Sequence, residues 1–128
     1  MTKKKKFELE YTVKSSPVIL YEFVTSPSDL ALWFADHVDT HGDLYTFVWD
    51  GNKENAELLE CQVNKFARYR WEYQSEDEYF EFTIKQSDIS QDTILVITDF
   101  ADAKEIKDQS LLWDSQIKSL KQHIGGMG

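Results

Sequence analysis

From Phe7 to Val13 apolar and polar residues alternate, with Phe7, Leu9, Tyr11 and Val13 on one face. A period of two predicts a half-buried strand. The period then changes. Ser16-Pro17 supplies a capping hydroxyl followed by proline at the first helical position. Val18, Ile19, Leu20, Tyr21, Phe23 and Val24 follow as a short, largely buried helix. Ser26-Pro27 repeats the signal: Pro27 stops the first helix and starts a second, with Asp29 in the first turn, where the helix dipole favours it. Leu30, Trp33 and Phe34 are the apolar residues of that second helix.

After Phe34 the period of two returns. Val38 lies in a short strand that ends at a Gly42-Asp43 turn. Leu44–Trp49 places Tyr45, Phe47 and Trp49 on one face, and Asp50-Gly51 is a hairpin signal, since glycine tolerates the positive φ such turns require. Ala56–Val63 returns with Leu59, Cys61 and Val63 on one face. Beyond a turn near Asn64-Lys65, Ala67, Tyr69, Trp71 and Tyr73 alternate with Arg68, Arg70 and Glu72. An acidic turn at Glu76-Asp77-Glu78 leads into Tyr79–Lys85, with Phe80, Phe82 and Ile84 on one face. Thr93–Phe100 is the last strand; its run Ile94-Leu95-Val96-Ile97 is apolar on both faces and is expected to be well covered. Asp102 with Glu105 reads as a capping box. Ile106, Trp113, Ile117, Leu120 and Ile124 then recur at helical spacing up to Gly125-Gly126, a helix stop. That helix is about 22 residues, or roughly 33 Å, long enough to cross a small domain.

The order predicts an α+β fold: a curved antiparallel sheet of about six or seven strands, two short helices after the first strand, and a long C-terminal helix. An open antiparallel sheet must cover its apolar face, and only the last helix is long enough to do so. The sheet should curl around it in a helix-grip arrangement. A pocket would form between the two.

Composition narrows the function. The chain has 128 residues, which suits one domain over 1–128, with 1–5 a flexible basic tail and 125–128 a C-terminal tail. Its net charge of −9 argues against nucleic acid, which needs a basic face. The run Lys3–Lys6 reads as a solvated tail, with binding to an anionic surface as the alternative. The single cysteine, Cys61, permits no internal disulfide and fits a reducing cytoplasm. No run of about 20 apolar residues predicts a membrane span, and no apolar segment follows the basic N-terminus as in a secretory signal.

Candidate chemistry is sparse. Tyr45, Phe47, Trp49, Tyr69, Trp71, Phe80 and Phe82, together with Trp33 and the helix residues Trp113, Ile117 and Leu120, either line a ligand cavity or fill a core. Ser110 and Gln116 lie near that helix face and either orient a ligand or face solvent. Arg68 and Arg70 point outward and pair with acidic residues of neighbouring strands; an inward one would anchor a ligand carboxylate. His37, Asp39, His41 and Asp43 are metal-ligand types, but the turn at Gly42 breaks their common face and favours a solvated polar edge. Cys61 is expected to be a buried packing residue, and His123 a helix cap. No serine elbow or phosphate-cradling glycine loop is present, and no cofactor or catalytic residue is assigned.

The chain resembles the START-like superfamily, within it the branch named after the activator of Hsp90 ATPase. Four segments carry the resemblance: Pro27-x-x-Leu30-x-x-Trp33-Phe34, Gly42 followed by Phe47 and Trp49, the hairpin Ala56–Trp71, and Trp113-x-x-x-Ile117-x-x-Leu120-Lys121-x-x-Ile124. The resemblance spans about residues 6 to 124 and implies a helix-grip fold with a cavity for lipids, sterols, polyketides or other apolar molecules. The Asn-rich segment and second domain of the true co-chaperones are absent, which makes a chaperone partner the lesser expectation. A cyclase- or hydrolase-type enzyme is the third, with Arg68, Arg70, Tyr69 and Tyr45 as its candidate polar groups.

Overall fold

The computed structural model describes residues 4–124. Strand β1 (Lys5–Val13) is followed by α1 (Pro17–Thr25) and α2 (Pro27–Trp33). A meander comes next: β2 (His37–His41), β3 (Leu44–Trp49), β4 (Asn52–Gln62), β5 (Phe66–Trp71), β6 (Phe80–Gln86) and β7 (Thr93–Ala101). A 3₁₀ turn (Ala103–Glu105) leads into α3 (Ile106–Ile124). The described strands form one antiparallel sheet in the order β1-β7-β6-β5-β4-β3-β2. This is the predicted α+β helix-grip architecture.

Local chemistry fixes the turns. Asp50 (φ 48°) and Gly51 (φ 81°) are both left-handed, as a two-residue hairpin between Trp49 and Asn52 requires. Gly42 (φ 63°) and Asn64 (φ 65°) serve the turns on either side. β1 begins at Lys5, opposite Ala101, so Lys5 and Lys6 belong to a strand and not to a tail. The Gly125-Gly126 stop and residues 1–3 and 125–128 of the two proposed tails lie outside the described residues.

The helices depart from their predicted detail. Ser16 caps α1 by accepting from the Ile19 N–H at 3.2 Å. On α1 only Leu20 and Val24 are buried, while Val18 and Ile19 are exposed, because the helix lies on the sheet by one face. Ser26 ends α1 and starts α2, yet its hydroxyl meets that of Ser28 and makes no cap bond. The Asp102 side chain likewise caps nothing: the chain tightens into the 3₁₀ turn through Glu105 N–H to the Asp102 carbonyl, and α3 proper starts at Ile106. Its 19 residues extend about 28 Å. Trp113, Ile117 and Leu120 form its buried stripe.

β4 corrects a face. A bulge between Leu58 and Glu60 takes Leu59 out of phase, so the concave side receives Ala56, Leu58 and Cys61, opposite Trp71, Tyr69 and Ala67. Cys61 is exposed although it lies beside Tyr21 of α1, and Val63 beyond it is also exposed. β7 is covered on both faces: Leu95, Val96, Ile97, Thr98 and Asp99 are all buried.

Candidate functional site

The concave face converges on an aromatic wall. β3 contributes Tyr45, Phe47 and Trp49, β5 contributes Tyr69 and Trp71, and β6 contributes Phe80 and Phe82. Trp33 comes from α2 and Trp113, Ile117 and Leu120 from α3, so the predicted site residues do share one region. Most are sealed there: Tyr69 and Leu120 are 0% exposed, and Phe47, Phe80, Phe82 and Ile117 are 1% exposed. Trp49 and Trp71 remain half-buried at the rims.

Phe34, read from the sequence only as a helix residue, sits at the centre of the wall. Its ring lies 5.1 Å from Phe47, 5.4 Å from Trp49, 5.9 Å from Trp113 and 6.2 Å from Phe82, centroid to centroid. The signal was present. Adjacent residues of a helix point roughly 100° apart, so Trp33 and Phe34 cannot both lie flat on one surface. Phe34 closes α2 and drops into the concave side.

The polar ends of these aromatics have a structural task. A helix leaves its last carbonyls without intrahelical donors. At the end of α1 the Trp33 indole N–H donates to the Phe23 carbonyl at 2.8 Å, the Tyr69 hydroxyl to Val24 at 2.6 Å, and the Tyr45 hydroxyl to Thr25 at 2.7 Å. The Trp49 indole donates to the Phe34 carbonyl at the end of α2, at 2.7 Å. Burial raises the phenol of Tyr69 well above its ordinary pKa, and that of Tyr45 in the same direction. Both hydroxyls donate to backbone carbonyls of α1.

The arginines face the convex side. Arg68 pairs with Glu81 across the β5–β6 ladder at 2.8 Å, with its guanidinium over the Tyr79 ring at 4.4 Å. Arg70 pairs with no carboxylate among the described residues and donates instead to the Glu78 and Glu76 carbonyls of the acidic turn. His37, Asp39 and His41 are exposed on the edge strand β2, and Asp43 is in the turn. Among the described residues no group of three or more His, Cys, Asp or Glu is arranged to hold a metal, and no helix is long and apolar enough to cross a membrane. The His123 ring meets the Ser119 carbonyl at 2.9 Å, one turn back on α3.

Two clefts open at the rims of the wall. The first, about 490 Å³, lies between the end of α2, Trp49 and α3. Ala31, Leu32, Phe34 and Trp49 give it an apolar side, and Asp36, Ser115, Gln116 and Ser119 a polar one. Gln116 makes one long bond there, from its side-chain N–H to the Phe34 carbonyl at 3.4 Å. The second, about 200 Å³, lies where the start of α3 meets β7 and the end of β5. At its floor Asp99 is 4% exposed and accepts from the Trp113 indole and the Phe100 N–H, both at 2.8 Å.

A curled antiparallel sheet holding an amphipathic C-terminal helix, with an aromatic interior and open rims, defines a helix-grip domain. The chain belongs to the START-like superfamily: that family's model matches residues 1–126. A Bacteroides fragilis protein known from its solution structure is 31% identical, over 100% of this chain and 96% of its own, with a TM-score of 0.68. The Aha1 dimer from Colwellia psychrerythraea is 14% identical over 96% of this chain and 98% of its own, with a TM-score of 0.80. CalU16 from Micromonospora echinospora is 14% identical over 98% of this chain and 77% of its own, with a TM-score of 0.72. These last two likenesses are likenesses of fold. No protein with a curated description matches the chain.

Proposed function

We propose that this domain binds a small molecule with a flat apolar body, taken up at the rim between α2 and α3. The observation that carries the reading is the 490 Å³ cleft, where Trp49 at the edge of the aromatic wall, with Phe34 buried behind it, meets the polar side chains of Asp36, Gln116 and Ser119. An apolar floor with a few convergent polar groups is the usual composition of a small-molecule site. Trp33 and Trp49 stand at that mouth. Tyr45, Phe47, Tyr69, Trp71, Phe80, Phe82, Trp113, Ile117 and Leu120 form the wall behind it, which a ligand reaches only by displacing Phe34. The closed packing of the rings favours a shallow, rim-held ligand over a long lipid swallowed whole.

A thermal-shift screen with fatty acids, sterols and flat aromatic compounds, followed by native mass spectrometry of the hits, tests the reading. Flat aromatics should raise the melting temperature more than long-chain lipids. The substitution Ser115→Trp, at an exposed position beside the cleft, should abolish that rise without altering the fold. Stabilisation by no apolar compound would sink the proposal. A chaperone recovered in a pulldown, with no small-molecule hit, would favour an outer-surface interaction module instead.

A further inference from the structure

The second cleft has a chemistry of its own. Trp71 and Tyr73 stack on one side of it, with planes 5° apart and centroids at 6.2 Å. Asp99, Asp102 and Glu105 contribute carboxylates from the other side. Asp99 is the unusual one. It is buried beneath the cleft, its hydrogen-bond donors are the dipoles of Trp113 and Phe100, and among the described residues it makes no ion pair. A buried carboxylate is stable as an anion when a cation compensates it. Burial raises the pKa of Asp99, while Lys4 is among the groups that lower it. Tyr73 is 67% exposed and forms the outer edge of the cleft. A cation already stands there: the Lys4 ammonium lies over the Tyr73 ring, 5.9 Å from its centroid. Aromatic faces next to carboxylates attract ammonium groups in this way.

We propose that this cleft is a second binding site, distinct from the α2–α3 rim, which takes a small organic ammonium ion between the Trp71–Tyr73 stack and the carboxylates of Asp99, Asp102 and Glu105, and that Lys4 occupies it in the unliganded protein. Its volume of about 200 Å³ admits a small cation, and it lies below the roughly 300–1,000 Å³ of drug-sized sites. The net charge of −9 draws cations towards the surface.

Proton–nitrogen NMR with choline as the probe, and dimethylbutanol as its neutral isostere, tests the site. Choline should shift the Trp71 and Trp113 indole resonances saturably, and added salt should weaken it. Lys4→Ala should tighten binding about threefold and Tyr73→Ala weaken it about threefold, the scale of an exposed cation–π contact. Both substitutions are at or near the surface and should leave the remaining spectrum in place. Equal shifts with dimethylbutanol, absence of saturable choline shifts in Lys4→Ala, or weaker binding on removal of Lys4 would each overturn the proposal.

Discussion

At the scale of the residue, aromatic side chains in this domain do two jobs, and their polar atoms tell which. Tyr69 is fully buried, and its hydroxyl supplies the Val24 carbonyl at the end of α1 with a donor. Tyr69→Phe keeps the ring and strands the carbonyl, so it should cost about 1–3 kcal/mol in urea unfolding. Phe34→Ala should cost about 3–5 kcal/mol, because it empties the centre of the ring cluster. Asp99 makes a prediction in pH. Its folded-state pKa is raised, chiefly by burial, with Trp113, Phe100 N–H, Gln109 and Lys4 pulling the other way. The folded state therefore holds this proton more tightly than the unfolded chain, and the contribution to stability is lost as pH rises through the raised value. Urea unfolding across the acidic range should show wild type losing stability relative to Asp99→Asn as pH increases. A constant difference between the two would contradict the assignment.

Elements were the most legible level of the sequence. Strand periods, the paired Ser-Pro signals and the Asp-Gly hairpin placed the elements described here, because each depends on local chemistry. What escaped depends on neighbours. The bulge in β4 exists only in the pairing of β4 with β5, so the face of Leu59 was misjudged. Cys61 lies beside Tyr21 of α1 but stays exposed, and how far a neighbouring helix covers a strand residue is not written in the strand's own period. The Asp102 cap lost to a 3₁₀ turn, whose own backbone bond supplies the donor. The candidate site was legible as a set of residues but not as a shape: nothing local says that Phe34 fills the centre, or that Tyr45 and Tyr69 spend their hydroxyls on α1. The hairpin offers a clean check of backbone strain. A Cβ at Gly51 would meet nothing within 4 Å, yet φ is +81°. Gly51→Ala should therefore cost about 1 kcal/mol from conformation alone, read by thermal unfolding.

For the whole molecule, the sheet grips α3 through a closely packed aromatic wall, and the proposed binding lies at its rims. The two rims differ in kind: one joins aromatic edges to serine and glutamine side chains with a single carboxylate, Asp36, and the other joins an aromatic stack to three carboxylates. The first is the proposed small-molecule site. Its most direct test is a titration with naphthol, a flat apolar probe, following the indole N–H resonances of the four tryptophans. Saturable shifts are expected at Trp49 and Trp33, with little change at Trp71 and loss of the response in Ser115→Trp. No saturable shift at Trp49, or an unchanged response in Ser115→Trp, would contradict it.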